Sequence, residues 1–281
     1  MNKHFLTKAN LLCCAVAALG ILGSCRNVRI KEHDEWKQYF DKYGVEGCFE
    51  FYDNNKETAH YCNKEECAER VSPASTFKIL TALIALETAV APDEQLTIRW
   101  DGIPRKAAWD KDLTMAEAFK ASSVPYFQEI ARRIGREKMQ HYLDTIQYGN
   151  KQIGTAIDSF WLNGTLLVSP DEQVGFIKRL YHAELPFSER TQRIVRGMMQ
   201  QTATDNYKLY YKTGWNKNLL WVVGYVEKFN NLKNVETGKM EAIPHPYFFA
   251  LKFNAKDTTQ DLRKVRLDLL NDLLKDNGLD K

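Results

Sequence analysis

Hydrophobic residues recur along the chain with two different periods, and these periods alternate in blocks. The first block is helical, with aromatic residues three to four positions apart: Trp36, Tyr39, Phe40 and Tyr43. Two apolar runs follow, 47–52 and 59–62, on either side of a polar turn, and they predict a β-hairpin. A helix and then two strands are therefore expected to open the fold.

The middle of the chain, from residue 73 to about residue 201, is mostly helical in pattern. One helix start is explicit, because Ser169 can cap it, Pro170 suits its first turn and Glu172 completes a capping box. Strands return in three segments rich in aromatic and β-branched residues: 209–215, 220–227 and 247–253. A closing amphipathic helix is marked by Leu262, Val265, Leu269 and Leu273.

Strands at both ends and helices between them predict a single interleaved α+β structure. We expect the hairpin and the three late strands to pair in one antiparallel β-sheet, with the terminal helices on one face. The middle helices, about residues 80–205, then form a mostly helical lobe. No linker or repeat divides residues 25–281, so a single domain is predicted, with a cleft between its lobes.

Composition excludes one class of function. The chain has 281 residues, with 39 Lys and Arg against 36 Asp and Glu, and a formal net charge of +3. At 44% hydrophobic residues it is typical of a folded globular protein. It has neither a basic stripe nor a like-charge tail, so nucleic-acid binding is not expected.

The first 25 residues have the pattern of an export signal. Lys3 and Lys8 precede an apolar run, 11–23, that is shorter than the ~20 residues of a membrane-spanning helix but suits a signal-peptide core. Small residues before Cys25 resemble the lipobox at which bacterial lipoproteins are cleaved and lipidated; ordinary cleavage nearby is the alternative. We expect residues 1–24 to be removed and the protein to be periplasmic, anchored to a membrane if Cys25 is lipidated.

Candidate chemistry begins with Ser75 and Lys78. Pro73 precedes them and apolar residues follow at helical spacing, so Ser75 is predicted at a helix N-terminus with Lys78 one turn later on the same face. A hydroxyl is a poor nucleophile until a base removes its proton, and a lysine desolvated by apolar neighbours can lose its charge and act as that base. A serine and a lysine at this spacing are common in helices, so further motifs are needed to identify a catalytic site.

Those motifs are Ser122-x-Val124-Pro125, Tyr148-Gly149-Asn150, Phe160-Trp161-Leu162 and Lys212-Thr213-Gly214. With the Ser75 and Lys78 pair, they resemble a class D β-lactamase, an oxacillinase of the penicillin-recognising serine hydrolases. The middle serine is followed by x-Val, as in class D, and not by Asp-Asn, as in class A. The resemblance covers nearly all of residues 25–281.

This resemblance implies the serine β-lactamase fold, shared with penicillin-binding transpeptidases, and hydrolysis of penicillins, including oxacillin, through an acyl-enzyme on Ser75. Such an enzyme confers β-lactam resistance. No metal is implied, but carbon dioxide or bicarbonate is, because Lys78 would be carboxylated on its side-chain nitrogen and act as the general base. Trp161 would donate its indole N–H to that group, or else serve only as core. Val124 and Leu166 would keep the pocket dry.

The same resemblance implies the remaining roles. Ser122 would pass a proton to the departing lactam nitrogen with Lys212 close by, and the backbone N–H groups of Ser75 and Trp215 would hold the oxyanion. Thr213 and Arg263 would bind the substrate carboxylate, and Tyr148, Val124 and Gly214 would complete the substrate site. Arg266 lies three residues beyond Arg263, and either arginine could instead be a solvated charge.

The cysteines allow one disulfide. Family members with a cysteine in the first strand and another shortly before the nucleophile make Cys48 and Cys67 the candidate pair, leaving Cys62 free. Cys62 and Cys67 have no histidine cluster nearby, so a zinc site is weakly supported.

Three other functions are alternatives to a β-lactamase. None of the six histidines has a spacing that suggests a catalytic triad. A β-lactam sensor domain shares these motifs and stops at the acyl-enzyme, but it needs several membrane spans, whereas this chain has one short apolar run. A transpeptidase or carboxypeptidase acting on D-Ala-D-Ala ends would share the fold and the acylation chemistry.

Overall fold

The structure is a computed structural model that describes residues 28–233 and 237–280. The predicted signal segment 1–24 and the predicted lipidation site Cys25 lie outside the described residues, and both stay predictions. Within the described ranges, no helix has the length and apolar character needed to cross a membrane.

The described strands are β1 (Arg29–Glu32), β2 (Val45–Asp53), β3 (Thr58–Cys62), β4 (Thr97–Ile98), β5 (Leu113–Thr114), β6 (Gln200–Ala203), β7 (Tyr207–Asn216), β8 (Leu219–Lys233) and β9 (Met240–Ala255). The described helices are α1 (Lys37–Lys42), α2 (Lys64–Ala68), α3 (Lys78–Glu87), α4 (Met115–Lys120), α5 (Val124–Ile134), α6 (Arg136–Ile146), α7 (Pro170–Tyr181), α8 (Glu189–Met199) and α9 (Leu262–Asp276). The helices from α3 to α8 occupy the middle of the chain, as predicted.

One sheet joins the two ends of the chain, with the strand order β1-β3-β2-β9-β8-β7-β6. The hairpin β2–β3 pairs with β9 through antiparallel contacts from Val45↔Ala255 to Asp53↔Tyr247. The predicted α+β class is thereby confirmed. The outer strands β1 and β6 were not predicted, because they are short and mostly exposed and so carry no apolar alternation.

Alternate residues of the central strands enter two separate hydrophobic cores. On β8, Trp221 and Val223 belong to the core of the helical lobe, whereas Leu220 and Val222 face α1 and α9. Because successive side chains of a strand point to opposite faces, the terminal helices cover one face of the sheet and the helical lobe covers the other. This is the predicted layering.

The helix α3 is buried on all sides, from Lys78 to Leu86. A helix without a polar face is one enclosed by protein, and α3 is packed against α5 and α8. Its amino end is therefore held firmly within the molecule. Lys78, its first residue, enters the interior with it.

The predicted Cys48–Cys67 disulfide is not formed. Cys48 on β2 and Cys67 on α2 are buried free thiols, and Cys62 is free as well. Burial, reinforced by hydrogen bonding to Cys48, raises the pKa of Cys67. Disulfide formation proceeds through the thiolate, which this apolar site disfavours.

Two carboxyl groups meet in the interior, Glu50 on β2 and Asp171 in the first turn of α7. Burial raises the pKa of Glu50 well above its usual value, and the charge of Asp171 raises it further. Burial also raises the pKa of Asp171. The Tyr61 hydroxyl donates to Glu50 Oε1 at 3.3 Å. The pair is therefore stable when Glu50 keeps its proton.

A carboxyl group that holds its proton more tightly in the fold stabilises the fold below its unfolded pKa and loses that contribution as the pH rises through its folded pKa. We therefore expect the contribution of Glu50 to the free energy of unfolding to decrease as the pH rises from about 5 to about 8, and Glu50→Gln, whose amide stays neutral, to gain stability relative to wild type over that range. Urea unfolding at about pH 5 and at about pH 8 measures the free energy of unfolding of both proteins. Glu137→Gln, at an exposed position of α6, is the control. Identical pH dependence in wild type and Glu50→Gln would contradict this account.

Candidate active site

Ser75 lies in a 3₁₀ turn, Ala74–Phe77, that leads directly into α3. Ala74 has a φ of 49°, in the left-handed region that non-glycine residues rarely adopt. Its N–H donates to the carbonyl of Trp161 at 3.1 Å, and the Ser72 hydroxyl donates to the same carbonyl at 2.8 Å. The segment around Trp161 thus fixes the turn that carries Ser75, and backbone strain of this kind is typical of functional sites.

Lys78 lies beneath Ser75, with its Nζ 2.6 Å from Ser75 Oγ. The lysine is only 1% exposed, and the ring of Phe127 is centred 5.6 Å from its Nζ. Burial lowers the pKa of Lys78 to about 7, and the positive charge of Lys106 contributes to the decrease. About half of the amine is therefore uncharged at neutral pH, and in that form it can accept the proton of Ser75.

A second lysine and serine pair faces the first. Lys212 on β7 donates to Ser122 Oγ at 2.9 Å and to the carbonyl of Thr213 at 3.0 Å. Burial lowers the pKa of Lys212 well below its usual value, and the charges of Lys78 and Arg266 lower it further. Ser122 precedes α5 with a φ of 54°, a second strained residue at the site. This pair can move a proton at the cleft, which Ser122 lines.

Gly214 allows β7 to approach the 3₁₀ turn that carries Ser75. A Cβ at this position would lie 3.0 Å from the carbonyl oxygen of Pro73 and 3.1 Å from the Cβ of Trp221. Trp221 in turn donates its indole N–H to the carbonyl of Ser72 at 3.0 Å. The glycine of the Lys-Thr-Gly motif is therefore explained by close packing of the strand against the nucleophile's turn.

Trp161 is 1% exposed and stacks on Phe77, with ring centroids 5.6 Å apart. Its indole Nε1 is buried and has no hydrogen-bond partner in the described part of the chain. Buried N–H groups are nearly always satisfied, so this one indicates a missing acceptor. Trp161 therefore contributes a free donor as well as packing.

The two arginines of α9 differ in their surroundings. Arg266 is buried, donates to the carbonyl of Gly214 at 3.0 Å and keeps a buried Nε without a partner among the described residues. Burial lowers the pKa of Arg266 to about 10. Arg263 lies over the exposed ring of Trp215, 5.8 Å from its centroid. The sequence predicts Arg263 as the carboxylate ligand, but Arg266 is the arginine that is hydrogen-bonded to the Lys-Thr-Gly strand.

These groups surround a cleft of about 890 Å³. One part of its wall is formed by residues 106–109 with Lys120, Ala121, Ser122 and Val124, and another part by β7 and α9. The predicted site residues that line it are Ser75, Ser122, Val124, Thr213, Gly214, Trp215 and Arg263. Lys78 and Lys212 stand just behind Ser75 and Ser122. Lys106, which also lines the cleft, was not predicted as a site residue, because it lies in a loop without a motif.

Tyr148 does not line the cleft, contrary to the prediction. It is 3% exposed and packs edge-on against Phe77 and Phe176, and its hydroxyl donates to Gln173 at 3.3 Å. Leu166 is likewise fully buried in the core. Tyr148 of the Tyr-Gly-Asn motif thus packs against Phe77, next to the nucleophile's turn, and does not line the cleft.

The described residues contain no group of three or more His, Cys, Asp or Glu side chains that could hold a metal ion. The polar groups that converge on the cleft are hydroxyls, amines and guanidinium groups. A substrate must therefore meet donors and cations here rather than carboxylates.

Comparison with known proteins adds to this picture. Residues 48–237 match the penicillin binding protein transpeptidase domain. β-Lactamase OXA-48 of Klebsiella pneumoniae is 38% identical over 207 residues, covering 72% of this chain and 78% of that protein.

Solved structures agree in fold. A class D β-lactamase from Sebaldella termitidis aligns with a TM-score of 0.81 and 32% identity, covering 90% of this chain and 99% of that one. The C-terminal domain of the Bacillus licheniformis BlaR penicillin-receptor aligns with a TM-score of 0.79 and 27% identity, covering 91% and 99% of the two chains.

Proposed function

The chain belongs to the class D β-lactamases, and from this premise we propose that it hydrolyses the cyclic amide of penicillins through an acyl-enzyme on Ser75. The observation that carries the proposal is the 2.6 Å contact between Ser75 Oγ and a buried lysine that has no carboxylate partner among the described residues. Nucleophile and base lie within proton-transfer distance at the floor of the cleft. Resistance to β-lactams is the expected consequence for the cell.

The proposed acylation step uses these side chains and two backbone groups. Lys78 accepts the proton of Ser75 as its Oγ attacks the lactam carbonyl, and backbone N–H groups of Ser75 and Trp215 stabilise the oxyanion. The C–N bond of the lactam then breaks. Ser122, hydrogen-bonded to Lys212, supplies the proton that the departing nitrogen needs.

Deacylation needs a base that can activate water, and we propose that Lys78 is carboxylated by carbon dioxide for this purpose. A carbamate forms only on an uncharged amine, and the lowered pKa of Lys78 provides one. The unpartnered Nε1 of Trp161 fits the acceptor that such a group would bring. When present, the carboxylate converts the amine into an anionic base that serves both steps.

Intact-mass spectrometry with benzylpenicillin tests the proposed function. We expect wild type to turn over and to show only a transient adduct, and Ser75→Ala to show none because the nucleophile is absent. Lys78→Ala should turn over at least a thousandfold more slowly, because it lacks the base for both steps. An adduct on Ser75→Ala contradicts the assignment of the nucleophile. A wild-type adduct that persists for hours favours a penicillin-receptor function like that named for the BlaR domain.

A second prediction concerns Trp161. Trp161→Phe keeps an aromatic ring on Phe77 but removes the indole N–H, so we expect it to need roughly tenfold more dissolved carbon dioxide for half-maximal turnover. Carbon-13 NMR of the protein in labelled bicarbonate should show a weaker carbamate signal. Unchanged carbon dioxide dependence would mean that Trp161 acts only through packing. Phe160→Leu, which alters packing and leaves the indole in place, is the matched control.

The arginines allow a third prediction. We assign the substrate carboxylate chiefly to Arg266, because it is buried beside Gly214 with an unpaired Nε, and to Thr213. Arg266→Ala should raise the KM for benzylpenicillin about tenfold or more, and Arg263→Ala should raise it less. Steady-state kinetics measures both. A larger effect from Arg263→Ala would reverse the assignment, and circular dichroism checks that each variant is folded.

A further inference from the structure

The charges that line the cleft are unequal. Five lining side chains are basic: Lys106, Lys120, Lys217, Arg263 and Arg266. None of the described residues that line it is Asp or Glu. The whole chain carries a formal charge of only +3, so positive charge is concentrated at this site. A cleft lined by one sign of charge raises the local concentration of ligands of the opposite sign.

Lys106 is one of three lysines in this lining, with Lys120 and Lys217, that the proposed reaction does not use. It lines the same part of the wall as Trp109, and its Nζ lies 4.3 Å from the centroid of the Trp109 ring. That contact holds the ammonium group at the cleft while leaving it able to bind an anion. Its charge is also near enough to lower the pKa of Lys78.

The carboxylates nearest in sequence are engaged elsewhere. Asp110 accepts from the backbone N–H groups of Arg105 and Lys106, and Asp101 pairs with the guanidinium group of Arg105 at 2.7 Å. No carboxylate of the described ranges forms an ion pair with Lys106. Its positive charge is therefore available to a ligand.

The bound orientation of a penicillin separates the two ends of the molecule within the cleft. Its carbonyl must lie at Ser75 and its ring carboxylate at Thr213 and Arg266. The acylamino side chain is attached at the opposite end of the bicyclic ring system, so it extends away from Arg266, and the wall of Trp109 and Lys106 belongs to the same cleft. A side chain that carries its own carboxylate would bring a second anion to that wall.

We propose that Lys106 forms a second anion subsite, which selects β-lactams bearing a carboxylate on the acyl side chain. This inference rests on the proposed function and deepens it. Trp109 packs against the apolar part of the side chain, and Lys106 binds its carboxylate. Arg266 and Thr213 continue to bind the ring carboxylate.

A matched pair of substrates tests the subsite, because carbenicillin is benzylpenicillin with one carboxylate added to the acyl side chain. The readout is the ratio of kcat/KM for carbenicillin to that for benzylpenicillin, in which any effect of Lys106 on Lys78 cancels. Lys106→Met should lower this ratio about threefold to fivefold, chiefly through the KM for carbenicillin, as expected for one partly exposed charge pair. Lys106→Arg should retain the wild-type ratio. Lys138→Met, an exposed lysine on α6, is the control and should also retain it.

Salt provides a second measurement. Raising the ionic strength from about 20 mM to about 300 mM should lower the wild-type ratio and should affect the Lys106→Met ratio much less, because screening acts on the charge pair. If wild type hydrolyses benzylpenicillin but Lys106→Met leaves the ratio unchanged, the proposed subsite is wrong and the proposed function stands. Failure of both penicillins to acylate wild type overturns the proposed function and the subsite together.

Discussion

The active site depends on keeping Lys78 uncharged inside the protein. A pKa of about 7, against 10.5 for an exposed lysine, means that the protein disfavours the charged form by about 5 kcal/mol relative to water. That penalty comes mainly from burial, because α3 is enclosed on all sides and begins at this residue. An exposed lysine at the same spacing from Ser75 would be protonated and could not act as a base.

Several other features make sense as consequences of this constraint. Gly214 lets β7 pack against the turn of Ser75, and the backbone of Trp161 holds the turn from the other side. Lys212 is buried nearby with its own lowered pKa, so two lysines and Arg266 can share one site without full mutual repulsion. The remaining positive potential suits an anionic substrate. Binding and base catalysis thus arise from the same enclosed cluster of basic groups.

Local sequence signals were enough to identify Ser75, Lys78, Ser122 and Lys212 as site candidates, because each belongs to a short motif at the start of a helix or within a strand. The hairpin β2–β3 and the closing helix α9 were likewise predictable from their periodicity. Lys106 was not predictable, because it lies in a loop without a motif and only the tertiary structure shows that it lines the cleft. Whether Cys48 and Cys67 are free thiols or a disulfide also depends on burial, which the sequence alone does not show.

Tyr148 illustrates the same limit of local reasoning: its motif is recognisable, but whether the ring points into the cleft or beneath Phe77 is decided by tertiary packing. The choice between Arg263 and Arg266 was open for the same reason. One turn of α9 separates an arginine over an exposed indole from one buried against Gly214. Spacing placed both on the correct helix, and only packing distinguishes them.

The most direct test of the account is steady-state hydrolysis of benzylpenicillin in buffer stripped of carbon dioxide and again after bicarbonate is added. If the uncharged Lys78 is the amine that takes up carbon dioxide, turnover should be low in stripped buffer and should recover on addition of bicarbonate. Recovery should be weaker at about pH 6 than at about pH 8, because protonation below the pKa of about 7 removes the neutral amine. Turnover that is rapid and indifferent to bicarbonate at both pH values would contradict the account.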